Sequence, residues 1–536
     1  MLTDVTHDVS PNEPTSTFDL LFVKNPNNIP DEAPIFITEE RTLTFGELSK
    51  LIRKCAYNLK EKYNIQKGDI VAVRSNPNIE YPIVMHAVVC AGGSVALVKN
   101  SPEDDPVSIT EDLQTVNPKV FIIDYKDREI SLAAAKRAGI PKSCIVMFGD
   151  EHIEGVSKVQ DVLLSGSKLA QPCVFTPDEL ENYPINLLYT SGSTGRRKAV
   201  THTSQIVLRS LKESYPNKRC MDERLLANRP FYFGSSAYTE LYASILRGSE
   251  VHIVRADTVD EISRAIEKYR ITTFSAAPYL VTAMVKEEMT KKYDLSSLRS
   301  VLPVGSIMMK KVIESASQLF GVPVVNMYGS TETFTPFNTT PELSLSGAVG
   351  RLKPTFESKI VDESGNEVED GEPGELLVKG PTVTKGYYSN QEATVKAFTS
   401  DGFYCSGDIF IRDKDGVFWF LSRNKNLMKY KSTHIYPYEI EKIVMTHPKV
   451  ADCGVIGVFS QELSTELPRA YVTLVDEKDY MNKESIAHEI LVYANRQLHE
   501  TKSIRAGVVV KERFSRTPTG KILYPVLKRE AAMEQI

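Results

Sequence analysis

The chain has 536 residues, too many for a single hydrophobic core, so about two to four domains are expected. Its 42% hydrophobic and 25% charged residues, without a low-complexity tract, exclude a disordered or fibrous chain. A formal net charge of -5 argues against nucleic acid as a partner, and no apolar run approaches the roughly 20 residues needed to span a bilayer.

Residues 1–30 are polar and acidic, unlike a signal peptide or an Arg-rich transit sequence. From Ala33 onward strands and helices alternate. Ile35-Phe36-Ile37 and Thr42-Leu43-Thr44 predict a hairpin, and Thr44-Phe45-Gly46-Glu47 a capping box opening a helix to about Leu59. Ile70 to Ser75, Ile79 to Ala91 and Ser94 to Val98 form a strand, helix and strand. Val120 to Ile123, a helix around Ser131 to Ala138, and Cys144 to Phe148 repeat that unit. Such alternation implies parallel sheets covered by helices. A second alternating block runs from about Asn182 to Thr340. Between about Gly347 and Leu421 short strands with many glycines predict a small β-barrel or sheet. The basic stretch Arg423-Asn424-Lys425-Asn426 marks a boundary, giving domains 1–424 and 425–536, the latter a compact α/β piece. The last residues, Met533-Glu534-Gln535-Ile536, are not a peroxisomal tail. Seven scattered cysteines, odd in number and without a C-x-x-C pair, point to reduced thiols in the cytoplasm and to no zinc site.

Five segments carry chemistry. Thr190-Ser191-Gly192-Ser193-Thr194-Gly195-Arg196-Arg197-Lys198 follows an apolar strand, Ile185 to Tyr189. Its glycines let backbone approach an anion, its hydroxyls donate to phosphate oxygens, and Lys198 adds positive charge. The spacing is not that of a Walker A loop. Val324 to Met327 reads as a strand delivering Tyr328, Gly329, Thr331 and Glu332 to a sheet end, where open α/β sheets bind ligands. There Tyr328 is placed to stack on a base, and Glu332 to hold Mg²⁺ on phosphate oxygens. Asp408, in Cys405-Ser406-Gly407-Asp408, has the chemistry to accept two ribose hydroxyls. Arg423 and Lys425 follow the apolar strand Phe418 to Leu421, and Arg516-Thr517-Pro518-Thr519-Gly520-Lys521 is a rigid turn presenting a lysine. Taken singly, each has an ordinary reading: a flexible connector, a polar turn, a solvated face, an exposed lysine.

In this order and at these separations the segments resemble the adenylate-forming superfamily, in particular its branch of 4-coumarate-CoA ligases, acyl-CoA synthetases and beetle luciferases. The resemblance runs from about Leu20 to Lys528. It takes in Tyr293-Asp294-Leu295, Gly374-Glu375-Leu376, Lys385-Gly386-Tyr387-Tyr388 and Lys429-Tyr430-Lys431. It implies two parallel-sheet subdomains and a small β-barrel subdomain, followed by a small mobile α+β domain. It also implies activation of a carboxylic acid by ATP and Mg²⁺ to an acyl-adenylate, then transfer to coenzyme A. Carried over, Thr190, Ser191, Gly192, Ser193, Thr194, Gly195 and Lys198 hold the β- and γ-phosphates, and Tyr328 packs on adenine with Gly329 and Gly305 nearby. Thr331 and Glu332 serve the α-phosphate and Mg²⁺, Asp408 and Arg423 the ribose. Lys425 is the hinge, and Lys521 bridges the attacking carboxylate and the ribose–phosphate region. Phe233, Pro278, Val304, Ile307, Phe334 and Phe337 are expected around the acyl group, which favours an aryl or medium-chain acid. The resemblance leaves a monomer or a homodimer.

The sequence also departs from the family pattern. Arg197 and Ala199 replace the usual Pro and Gly, and Thr203-Ser204 replaces Thr-His. Pro230-Phe231-Tyr232-Phe233-Gly234 lacks the usual histidine, and Pro303-Val304-Gly305-Ser306-Ile307 replaces Ser-Gly-Gly-Ala-Pro. Ser422 stands for Asp and Ser432 for Gly near the pantetheine path. The adenylation set is complete, whereas the acyl and thiolation positions are altered. Alternatives are therefore an adenylating ligase passing its acyl group to an amine or carrier protein, and a luciferase-like oxidation. Retention of Lys521, Glu332, Asp408 and Arg423 argues against a protein that merely binds nucleotide.

Overall fold

The helix Tyr81–Ala91 shows how the halves of the large domain are joined. Every one of its residues is buried, because its sequence is apolar on nearly all sides and it packs against the helix Phe45–Tyr63 and the strand Ser94–Leu97. Its one imidazole, His86, satisfies Nε2 on Leu241 O at 2.7 Å, and burial pushes its pKa down to about 4. The computed structural model describes residues 14–101, 104–191, 196–215, 219–308, 310–431, 433–517 and 520–533.

The first sheet has seven strands in the order Ser157–Lys158, Ile145–Phe148, Val120–Asp124, Ile70–Arg74, Ser94–Leu97, Pro184–Ser191, Arg197–Thr203. All neighbours are parallel except the last pair. The second has six strands: Ser300–Pro303, Thr273–Ala276, Arg224–Ala227, Glu250–Ile253, Pro34–Ile37, Thr42–Thr44. The expected N-terminal hairpin forms, yet it serves this second sheet, with Phe36 beside Val251 in parallel. Conversely, Pro184–Ser191 and Arg197–Thr203, at the head of the second sequence block, complete the first sheet. Thr44 caps its helix by accepting from Glu47 N at 3.3 Å, but Glu47 turns its carboxylate to Arg41, so the box is half formed. That helix runs to Tyr63, four residues past the expected end, and closes on Asn64 in the left-handed conformation.

The glycine-rich stretch forms a six-stranded antiparallel sheet: Phe337–Asn338, Gly350–Leu352, Val417–Arg423, Tyr404–Arg412, Gly374–Lys379, Glu357–Val361. Tyr328, Phe337, Phe356, Phe410 and Phe418 fill its inner face. After Arg423 a short turn, Asn424–Asn426, leads to the hairpin Met428–Tyr430 and Thr433–Ile435. A three-stranded sheet follows, Val450–Ser460, Thr465–Leu474 and Val508–Val510, covered by Pro437–Val444, Lys483–Asn495 and Tyr524–Met533. Among the described residues no helix is long and apolar enough to cross a membrane, and all seven cysteines are unpaired.

Candidate active site

The strand expected over Val324 to Met327 reduces to one parallel bridge, Val324 to Val301. Beyond it the backbone is claimed by side chains. Asn326, fully buried, receives Met308 N and donates to Met308 O, both at 2.9 Å, while its own N–H donates to Ser344 Oγ at 3.0 Å. These bonds replace a ladder and fix where the next residues point. Ser330 and Phe334 then exchange two backbone hydrogen bonds around the turn Thr331-Glu332-Thr333. Gly329 is required by that turn, because a Cβ there would sit 2.2 Å from Phe334 O.

The Glu332 carboxylate faces two segments. Its Oε1 accepts from Tyr387 Oη at 3.2 Å and Thr190 Oγ1 at 3.4 Å. Lys198 holds its ammonium 4.2 Å over the Tyr387 ring, so one end of the phosphate loop meets Glu332 and the other meets the tyrosine bonded to it. Gly192, Ser193, Thr194, Gly195 and the side chain of Ser191 lie outside the described residues. Arg197, standing for the family proline, explains itself. It pairs with buried Asp104 and Asp112 and fastens the strand after the loop to the helix Pro106–Val116.

On the barrel side Asp408, 2% exposed, pairs with Arg423 Nε at 2.7 Å and accepts from Tyr328 Oη at 2.6 Å. Tyr328 is buried with its ring edge-on to Phe337 and Phe410. Phe337, expected around the acyl group, belongs instead to this barrel core. It stands in a strand paired with Gly350–Leu352, whose alternation turns it inward. Ile307 also packs against this cluster.

Lys521 arrives from the C-terminal region. Its N–H donates to Thr517 Oγ1 at 3.0 Å, and Thr517 N in turn donates to Lys521 O at 2.7 Å. Arg516 clamps this turn by donating to Gly520 O at 3.0 Å, pairing with Asp452 and covering the Tyr279 ring at 4.9 Å. Gly520, at φ +83°, lets the turn lie flat: a Cβ would fall 2.5 Å from the Tyr279 ring. Lys286 and Lys311 add bonds to the C-terminal backbone at Val450, Ala451 and Thr446. The ammonium of Lys521 therefore feels Arg423, Asp408, Glu332 and Lys425 together. Burial first, then Arg423, lowers its pKa to about 8. Lys425 itself is exposed in the turn Asn424–Asn426, its pKa lowered by partial burial and by Arg423. Ser432, Pro518 and Thr519 lie outside the described residues.

Of the other expected acyl residues, Phe334 lines a small cavity and Phe233 adjoins it through Gly234. Val304 donates its N–H to Ala276 O, Gly305 is exposed at φ +95°, and Pro278 opens the helix beside the Lys521 turn. The reading of the sequence missed His202, Tyr238 and Tyr387. His202 packs tilted against Phe334 at 4.6 Å between ring centres, and its Nε2 donates to Thr331 O at 2.7 Å, because a carbonyl only accepts. Burial lowers its pKa to about 4, so it is neutral. Its alternation with Thr201 and Thr203 in a strand was the available signal; nothing local foretold Tyr238.

The donor set fits a nucleotide and one cation. Glu332 is 9% exposed and pairs with no basic side chain among the described residues, which suits a cation. No group of three metal-ligating side chains occurs there, so a divalent ion would take one carboxylate plus phosphate oxygens, as Mg²⁺ does.

A two-part fold with a lysine turn docked on an acidic, hydroxyl-rich sheet end defines an adenylating ligase that uses ATP. The comparisons agree. Residues 22–388 match the AMP-binding enzyme family and residues 439–521 the AMP-binding enzyme C-terminal domain, and the chain belongs to this family. It is 28% identical over 496 residues to 4-coumarate--CoA ligase-like 3 of Arabidopsis thaliana, covering 90% of this chain and 86% of that protein. It is 29% identical over 496 residues to luciferin 4-monooxygenase of Photinus pyralis, covering 90% and 88%. Among solved structures, the anthranilate CoA ligase AuaEII in complex with anthranoyl-AMP shares the fold with a TM-score of 0.85, at 21% identity over 98% of this chain and 99% of that one. The amide bond synthetase McbA from Marinactinospora thermotolerans gives 0.82, at 20% identity over 95% and 99%.

Proposed function

We propose that this protein activates an aryl or medium-chain carboxylic acid with ATP and passes the acyl group to coenzyme A. The acid's carboxylate oxygen bonds to the α-phosphorus, the bond from that phosphorus to pyrophosphate breaks, and the CoA thiol then displaces AMP from the acyl carbon. The observation that supports this most is the docking of Lys521 among Asp408, Arg423 and Glu332. Both reactants are anionic, and a half-buried lysine offsets their repulsion where it develops. Mg²⁺ on Glu332 would neutralise phosphate charge. Thr190 and Lys198 orient phosphate oxygens, and Asp408 with Arg423 the ribose. The neutral His202 holds Thr331 through its carbonyl, and Leu188, Val207, Ala237 and Phe334 supply apolar walls for the acyl group. Residues 425–536 are taken to move as one unit about Lys425, withdrawing Lys521 once the adenylate has formed.

The test is ATP–pyrophosphate exchange over a panel of carboxylic acids, with product analysis in the presence and absence of CoA. Acid-dependent exchange followed by a CoA thioester is expected. Exchange without any thioester, but with amide when an amine is supplied, would reassign the second step.

A further inference from the structure

Behind the Val207 and Tyr238 wall of the acyl cavity lies a buried polar cluster. Val207 lines the cavity, and Val207, Ser210 and Ser214 share one face of the helix Ser204–Ser214 by their spacing of three and four residues. The wall that starts apolar therefore turns into two hydroxyls over the next two turns. Across from them is Tyr238, whose ring meets Phe334 at 5.1 Å and whose hydroxyl lies beside Ser210 and Ser214. Neither the Tyr238 hydroxyl nor Ser210 Oγ makes a hydrogen bond, although both atoms are shut off from water. Lys353 completes this cluster. It is 7% exposed, and its Nζ donates to Ser214 Oγ at 3.2 Å and Thr335 Oγ1 at 3.4 Å. Its own N–H donates to Pro336 O, which ties it to the segment carrying Phe334.

A buried ammonium is costly unless an anion or a full set of acceptors offsets it. Here two neutral hydroxyls share the task, and no carboxylate among the described residues forms an ion pair with Lys353. Glu213, whose charge reaches it, lies on the same helix without pairing. Burial holds the ammonium below the ordinary lysine range. The C-terminal end of Ser204–Ser214 makes a cation tolerable but supplies no anionic acceptor. One ammonium and two unpartnered hydroxyls thus gather behind the Tyr238 wall of a slot whose other polar side chains, Asn186, His202 and Tyr242, already have partners, and all three are able to donate. A carboxylate, which only accepts, satisfies all three.

We propose that the acid this protein activates is a dicarboxylic acid, whose second carboxylate is read by Lys353 with Tyr238 and Ser210. The inference rests on the acid-activating reading above and deepens it. It assigns Lys353 as a specificity-determining residue.

The test compares glutarate, adipate and suberate with pentanoate, hexanoate and octanoate, in ATP–pyrophosphate exchange and in thermal shift without ATP. At least one diacid should exceed its chain-matched monoacid by about tenfold or more in kcat/KM, the scale of a charge-assisted hydrogen bond. Lys353→Met keeps the aliphatic stem and removes the buried charge, so it should fold. It should lose the diacid preference while keeping or raising turnover of the monoacid. Lys353→Arg should retain the preference. Diacids should raise the Tm of the parent and leave that of Lys353→Met unmoved. Monoacids used as well as diacids, or a diacid preference that survives in Lys353→Met, would overturn the inference. An absence of exchange with every acid would sink the acid-activating reading instead. The thermal shift then decides alone: diacid stabilisation lost in Lys353→Met sustains the inference, and no diacid stabilisation in the parent ends it.

Discussion

The nucleotide side and the acyl side of this site handle charge in opposite ways. On the nucleotide side the central charged pair is satisfied before any ligand arrives: Asp408 is held by Arg423 and Tyr328, and the Lys521 ammonium lies within reach of the charges of Asp408 and Glu332 as well as that of Arg423. On the acyl side the polar groups stand apart. His202 has one partner, Tyr238 and Ser210 have none, and Lys353 has two hydroxyls and no anion. A balanced network is rigid and serves one constant substrate, ATP. An unbalanced one waits for the group that completes it, and so sets specificity.

The comparison breaks most sharply at Lys521. Lys521→Ala should lower adenylate formation by about 10²-fold or more, the scale of losing one preorganised donor, while thioester formation from ready-made acyl-adenylate persists. Rapid-quench assays of the two half-reactions measure it, and equal loss in both would contradict a lysine used in one step. Next comes Gly520. With φ at +83° and the Tyr279 ring 2.5 Å from any Cβ, Gly520→Val should undock the turn and reduce exchange by about tenfold or more. Tyr279→Ala in the same chain should restore part of it, since it removes the colliding ring. No loss in Gly520→Val would mean that the docked turn is not the working one.

A smaller effect follows from the pKa of Lys521 near 8. The ammonium is present below that value and lost above it, so kcat/KM for exchange should fall severalfold as pH rises past about 8. The fall should vanish in Lys521→Ala; if it remains, another group titrates. The smallest effect concerns stability on the acyl side. His202 has a folded pKa of about 4 against 6.5 when exposed, so the unfolded chain binds more protons between those values. Stability contributed by neutral His202 is present above pH 6.5 and lost as pH falls toward 4. His202→Gln, which keeps an N–H for Thr331 O, should therefore show a shallower drop in Tm over that window. An unchanged slope would show that the imidazole titrates freely in the fold.

Much of this was legible in the chain. The alternation of strands and helices, the hairpin of Ile35–Ile37 and Thr42–Thr44 and the small glycine-rich sheet follow from local pattern, whereas Glu332, Asp408, Arg423 and Lys521 stand out only because their motifs occur together in the family's order. Charged side chains at fixed spacing keep their chemistry wherever the segment goes, and Gly520 announced that its turn needed room. What the tertiary structure decided is partnership over long distances. It sent the N-terminal hairpin to the second sheet and Pro184–Ser191 to the first, because a parallel strand can pair with any exposed edge its connection reaches. It moved Phe337 into the barrel core, where strand pairing sets which way a side chain faces. It traded a strand at Val324 for the side-chain bonds of Asn326. And it gathered His202, Tyr238, Phe334 and Lys353, from four separate segments, around one slot, a meeting that no spacing along the sequence encodes.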